Sequence, residues 1–358
     1  MIDFLERARE FVADVVAPNA ARWEAERAYP RDAFKAAGEA GLCGLLVDPA
    51  LGGAGLGTVA MAQIMETLAA ADFAIAFSLV VQNNLAGNIS RNRTAEQKAL
   101  HLPPMMAGER LGAFLLTEAR DGRDWVLNGS KAWVTNAASA DLLSVYAQTD
   151  PAKGWRGIAC FLVPADAPGV VREAAYAMLG GHALGTGGFR FEDCRVAGDA
   201  VLLASERAFK AAMAGIDIAR VNVAAMCVGI LHSGLAIAVE ATARKSAFGQ
   251  RLADHQGLQW QLADVATEAH AARLMAYDAA AAMDRGDNAT VAAAHAKKFA
   301  SRAALDGLGQ CMQALGADGL RHDTPLPRHF AAAKMAAYID GTTEIQNIVI
   351  ARDLWRDT

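Results

Sequence analysis

The chain has 358 residues, is 53% hydrophobic and carries 34 basic against 39 acidic side chains, a formal charge of -5. That length supports two or three domains with a sizeable buried core. With no basic run to counter a phosphate backbone and no acidic tail, nucleic-acid binding has no support. Cys43, Cys160, Cys194, Cys227 and Cys311 are scattered without CxxC pairing or zinc spacing. This is the pattern of reduced thiols in a cytoplasmic protein, and neither a disulfide nor a metal is expected.

Residues 1–110 read as an α-helical domain. The first ten residues mix acids with bases, so no secretory signal is expected, and Phe4, Ala8, Phe11, Val12 and Val15 recur at helical spacing. No apolar run is expected to approach the ~20 residues of a membrane span. Pro30, Gly41, Gly52-Gly53-Ala54-Gly55 and Pro103-Pro104 are the expected breaks. Residues 111–205 change character, with six short alternating or β-branched segments at 112–116, 125–127, 132–135, 142–147, 158–163 and 188–191 that predict a compact β domain. Residues 206–358 return to helical period in Ala-rich stretches, predicting a bundle of four or five helices.

Several residue groups could carry chemistry. A two-residue period puts Trp133 and Thr135 on one strand face, where they could meet a ligand or simply form a β-core pair. Asp217 and Arg220, three apart on a helix, share a face, and alone such a pair is more often a surface ion pair than a site. Asp340 before Gly341 is a turn former or a base. The eight histidines have no partner at catalytic or metal spacing, and neither a Gly-x-Ser-x-Gly elbow nor a Rossmann glycine pattern is present.

Taken together, Tyr338-Ile339-Asp340-Gly341-Thr342-Thr343-Glu344-Ile345-Gln346, Leu116-Thr117-Glu118 and Asn128-Gly129-Ser130-Lys131-Ala132-Trp133-Val134-Thr135-Asn136 resemble the acyl-CoA dehydrogenase family over nearly the whole chain. The resemblance implies an α+β multidomain fold: an N-terminal α-helical domain, a central β-barrel-like domain and a C-terminal helical bundle. It implies an FAD-dependent oxidoreductase that removes a proton and a hydride from adjacent carbons of an acyl-CoA thioester, the hydride passing to flavin N5. A homo-oligomer, tetramer or dimer, and an electron-transfer flavoprotein as acceptor are implied as well. Residue by residue, it makes Asp340 the base. It assigns Leu116, Thr117, Trp133, Thr135, Lys245, Phe248, Gln256, Gln313, Leu315, Gly316, Thr342 and Glu344 to the cofactor, and Asp217, Arg220 and Gly341 to the substrate.

The chain departs from the family at four points. Asp340 stands where many members have glutamate, one methylene longer, and Lys245 stands at an arginine position. Ala219 occupies the place where other members carry the base. After Glu118 the family's Gly-rich loop is missing, and the chain passes through Ala119-Arg120-Asp121-Gly122-Arg123-Asp124 directly to Trp125. These departures leave room for a fold relative with an aspartate base, as in dehydrogenases of cyclic acyl-CoAs or nitroalkane oxidases, and for a flavin-poor scaffold subunit.

Overall fold

The structure, a computed structural model, describes residues 3–120 and 125–356, without the side chains of residues 116–120. The N-terminal part is helical: α1 (Phe4–Phe11), α2 (Ala17–Ala25), α3 (Arg31–Glu39), α4 (Thr58–Ala69), α5 (Phe73–Asn92) and α6 (Ala95–Met106). Local sequence starts these helices. The Asp3 carboxylate accepts from the backbone N–H groups of Leu5 and Glu6, Asp72 accepts from that of Ile75, and Thr94 from that of Gln97, each satisfying a donor of a free first turn. Pro103 and Pro104, expected to break the chain, lie inside the last turns of α6 instead.

The middle part is one seven-stranded sheet: β1 (Gly112–Arg120), β2 (Trp125–Val134), β3 (Leu142–Gln148), β4 (Ile158–Pro164), β5 (Val170–Arg172), β6 (Gly187–Val196) and β7 (Val201–Leu203). Its order is β5-β6-β2-β1-β3-β4-β7, and only β1 with β3 is parallel. Two predicted segments, 125–127 and 132–135, are one strand ending at Val134, so Thr135 lies in the following turn. The three-residue strands β5 and β7 were too short to register as alternation. Glu118, Ala119 and Arg120 pair with Asn128, Leu127 and Val126, so the two strands form a hairpin, and the connection at 121–124 lies outside the described residues.

The C-terminal part holds α7 (Ala208–Arg244), a small hairpin of β8 (Ser246–Ala247) and β9 (Gln250–Arg251), then α8 (Gln256–Asp284), α9 (Thr290–Leu315), α10 (Leu326–Ala336) and α11 (Thr343–Leu354). By length and hydropathy α7 could span a membrane, contrary to the sequence expectation, because Val221 to Val239 contains no Asp, Glu, Lys or Arg. Most of that apolar window is buried inside the fold, which makes α7 its core helix. At Gly229 an added Cβ would stand 2.2 Å from the carbonyl oxygen of Glu66, so glycine is what lets α4 lie against α7.

Gln82 ties the helical part to the sheet. Its side-chain amide donates to the carbonyls of Met105 and Arg110 and accepts from the Gly112 N–H at 2.8 Å, fixing the start of β1 against α5. The space between α5, the β1–β3 face, the first half of α7 and the segment after α10 is the functional cavity.

Candidate active site

A cavity of about 980 Å³ lies in this space, and Trp133, Thr135, Asp340 and Thr342 all contribute to its wall. Between Lys131 and Val134 the pairing of β2 with β6 shifts register, and Trp133 takes up the irregularity with a left-handed backbone (φ +60°). The bulge turns the Trp133 ring outward, leaving the residue 71% exposed with Tyr176 edge-on at 4.9 Å between centroids, while Val134 beside it is buried. Asn136, buried and also left-handed, locks the turn: its amide donates to the Gly112 carbonyl and its Oδ1 accepts from the Tyr29 hydroxyl at 3.2 Å. Trp133 and Thr135 therefore share the cavity through a bulge and a turn, and not through simple strand alternation.

Asp340 sits in a left-handed turn (φ +51°) followed by Gly341 (φ +96°). Such backbone in a non-glycine residue is strained and persists only where neighbours enforce it. Here they do. Lys297 on α9 donates to the carbonyls of Ala337 (3.0 Å) and Gly341 (2.7 Å), Arg220 Nε donates to the Asp340 carbonyl (3.1 Å), and the Gln346 amide donates to the Gly341 carbonyl (3.0 Å). An added Cβ at Gly341 would meet Gln346, Ile345 and Arg220 at 3.1–3.3 Å.

These cations hold the turn by its backbone and leave the carboxylate unpaired. Part of the residue borders the cavity, yet Oδ2 is buried without a hydrogen-bond partner. Burial pushes the Asp340 carboxyl up to about 7, against the opposing pull of Lys297 and Arg220. Burial likewise lowers Lys297 to about 8, with Cys227, Asp340 and Glu344 acting to hold its charge and Arg220 against it.

Asp217 and Arg220 do pair on one face of α7, at 2.8 Å, and Thr290 Oγ1 donates to the second Asp217 oxygen at 2.6 Å. Neither is among the residues lining the cavity, although Ile218 and Ala219 between them are. Arg220 spends its Nε donor on the Asp340 turn. Ala219 does line the cavity, so the family's alternative base position presents only a methyl group there.

The remaining sequence candidates lie elsewhere. Leu116 and Thr117 are in β1, but their side chains fall outside the described ones. Phe248, 98% exposed, and Gly249 both have positive φ in the β8–β9 turn, the backbone a two-residue hairpin demands. Gln256 opens α8, exposed. Lys245 donates to the Leu315 carbonyl at 3.0 Å and pairs with Asp318, beside Gly316 and exposed Gln313. Glu344 is in the first turn of α11, where a hydrogen bond from Thr342 holds its carboxyl low. None of Lys245, Phe248, Gln256, Gln313, Leu315 and Gly316 borders the cavity.

Lys297 was missed by sequence reasoning, although it sits on the buried stripe of α9 with Ala293, Ala296, Ala300 and Ala304. A lysine on an apolar face was the available signal. Also missed was the α5 face of Asn84, Asn88, Arg91 and Asn92, which lines the cavity far from the motifs.

The residues fit a flavin at the ring end, where an exposed tryptophan and a hydroxyl face the cavity beside a carboxylate. At the phosphate end the fit is partial, because Lys245 already has an acidic partner in the chain.

Comparison with known proteins identifies the family. The acyl-CoA dehydrogenase N-terminal domain matches residues 2–109, the middle domain 107–194 and the C-terminal domain 207–355. Short-chain specific acyl-CoA dehydrogenase of Homo sapiens mitochondria is 35% identical, over 98% of this chain and 89% of that protein. Among solved structures, butyryl-CoA dehydrogenase from Megasphaera elsdenii superposes with a TM-score of 0.94 at 31% identity, covering 99% of this chain and 97% of the other. A chain described with the electron transferring flavoprotein of Acidaminococcus fermentans superposes equally, at 0.94 and 33%, over 99% and 97%. The chain belongs to the acyl-CoA dehydrogenase family, oxidoreductases acting on CH–CH donors.

Proposed function

We propose that the protein dehydrogenates a short-chain acyl-CoA at the α,β position, with Asp340 as the base. The observation that carries this reading is the unpartnered, buried Asp340 oxygen on the wall that also presents Trp133 and Thr135. A carboxyl raised to about 7 by burial is poised to take a proton near neutral pH. Asp340 takes the α proton of the thioester, while Lys297, Arg220 and Gln346 keep its turn from relaxing. Bound FAD, on which the family depends, would supply the acceptor for the hydride that leaves the β carbon. Trp133 and Thr135 are the residues to hold its ring, and Lys245, Phe248, Gln256, Gln313, Leu315 and Gly316 lie on a surface suited to its distal half in a neighbouring copy.

The short chain length is supported by the likeness to short-chain specific acyl-CoA dehydrogenase and to butyryl-CoA dehydrogenase. Association into a homo-oligomer is supported by large apolar side chains exposed in the C-terminal part, among them Phe248, Trp260, Leu274, Ile348 and Leu354. An electron-transfer flavoprotein is the acceptor this reading favours. A cavity of this size, with a poised carboxyl in its wall, supports catalysis over a scaffold role. Anaerobic titration with butyryl-CoA should bleach the flavin bands. A flavin-loaded protein left unbleached by acyl-CoAs of every chain length would refute the reading.

A further inference from the structure

Thr135, on the cavity wall, is followed directly by Asn136, whose backbone is left-handed (φ +66°). Asparagine is among the few residues that adopt that conformation, helped by hydrogen bonds of its short side chain. Here the bonds run to elements that wall the cavity. The Asn136 N–H donates to the Leu184 carbonyl at 2.9 Å, and its Nδ2 donates to the carbonyls of Gly112 (3.1 Å) at the start of β1 and Ser78 (3.4 Å) in α5. With Nδ2 committed to two carbonyls, Oδ1 needs a donor, because a buried acceptor without one is costly. Among the described residues that donor is the Tyr29 hydroxyl, 107 residues earlier in the chain.

Tyr29 lies between α2 and α3 and is not among the residues lining the cavity. Its ring stacks on Phe34, with centroids 5.4 Å apart and planes within 4°. It also packs against Gly185, where an added Cβ would come within 2.6 Å of the ring, so glycine is what admits it. Burial pushes the hydroxyl well above its ordinary value of 10, against the pull of Arg31, which keeps it a donor at neutral pH. The rest of the turn has its own supports. Arg31 donates to the carbonyls of Ser139 and Glu109 and to Asp141 Oδ2, each at 2.6 Å, and Arg172 donates to the carbonyls of Ala137 and Ala140. Two arginines therefore hold residues 137–141, and the Tyr29 hydroxyl acts on Asn136, the residue next to Thr135.

We propose that Tyr29 is a positioning residue for the ring end of the cavity: by donating to Asn136 Oδ1 it fixes the left-handed backbone there and, with it, the place of Thr135. The inference rests on the reading above that Trp133 and Thr135 hold the flavin ring. Without the hydroxyl, Asn136 keeps an unmet buried acceptor and its side chain is free to turn over, releasing a carbonyl that Nδ2 now holds. Thr135 then samples several positions. Only a fraction of the protein presents the competent one, and apparent FAD affinity falls by that fraction.

The test is a double-mutant cycle. Tyr29→Phe keeps the ring and deletes the donor, and Thr135→Val keeps the shape of the wall and deletes its hydroxyl. Apoprotein of the wild type, both single variants and the double variant is titrated with FAD by flavin fluorescence, and the loaded proteins are reduced with saturating butyryl-CoA by stopped flow. Tyr29→Phe should weaken FAD about fivefold to thirtyfold, the size of one hydrogen bond lost from a buried acceptor. It should also slow flavin reduction while the Kd for butyryl-CoA stays within about twofold of wild type. In the Thr135→Val background the same change should weaken FAD by less than about threefold, because the hydroxyl it places is already gone. Equal losses in both backgrounds, or a lower Tm with FAD affinity and reduction rate unchanged, would overturn the role of Tyr29 and leave the ring-side reading intact. If Thr135→Val alone leaves FAD affinity at the wild-type value, the ring-side reading itself fails, and the role of Tyr29 fails with it.

Discussion

If Asp340 is the base, the rate of α-proton removal must follow its ionisation. With the carboxyl at about 7, about one-tenth of the free enzyme is ionised at pH 6 and about nine-tenths at pH 8. The value of kcat/KM, which reports the free enzyme, should therefore rise nearly tenfold across that interval. Stability should move the opposite way. A folded-state value raised above the ordinary 3.8 means that the stabilising contribution is complete below about pH 4 and is lost as pH rises through 7. A shift of about three pH units amounts to about 4 kcal/mol at alkaline pH. Asp340→Asn removes both effects: flavin reduction by butyryl-CoA should fall by orders of magnitude, while Tm at pH 8 should rise relative to wild type and Tm at pH 4 should not. The charged and titratable groups near the site are Lys297, Arg220, Glu344 and Cys227, so the control is whether the rate profile vanishes with Asp340 alone. Stopped-flow reduction and thermal melts across pH 4–9 read both quantities. A flat kcat/KM between pH 6 and 8, or wild-type reduction by the Asn variant, would sink the assignment of the base.

Lys297→Met keeps the length of the side chain but removes two charge-assisted hydrogen bonds to the turn and a cation that favours the Asp340 carboxylate, so the midpoint of the pH–rate profile should move up by at least about one unit; an unmoved midpoint would show that Lys297 acts only in packing. Asp340→Glu should alter substrate preference, gaining on straight-chain acyl-CoAs and losing on the native substrate, since about 1.5 Å of added reach changes the line of proton transfer; a uniform loss across an acyl-CoA panel would argue against a matched short side chain. Trp133→Ala should lower flavin retention on gel filtration with little change in Tm, because the ring is exposed and edge-packed only on Tyr176; full retention would place the ring contact elsewhere.

What the sequence made legible was whatever periodicity and short motifs encode. The change from helical to alternating pattern near residue 111 and back near 206 matches where strands replace helices and helices return, because burying one face of each element imposes those periods. The motifs around Trp133 and Asp340 pointed to residues that do meet in one cavity. Long-range chemistry was not legible. Asp217 and Arg220 share a helix face, as their spacing requires, but only the packed fold shows that Arg220 spends its Nε donor on the Asp340 carbonyl, 120 residues away in the chain. Lys297 is the sharper case, since in sequence it is one lysine of a Lys-Lys pair in an Ala-rich helix and nothing local tells it from Lys298. In the fold Lys297 is wholly buried and bonded to the turn, whereas Lys298 is exposed. The rotation of one residue around α9, about 100°, decides which lysine bears the energetic cost of burial. That cost is offset only because the Asp340 turn supplies two inward carbonyls. A left-handed aspartate, its glycine neighbour and a buried lysine thus form one device: the turn satisfies the lysine, the lysine holds the turn, and the carboxylate beside the cavity is left with the field of nearby cations but, among the described residues, no ion pair.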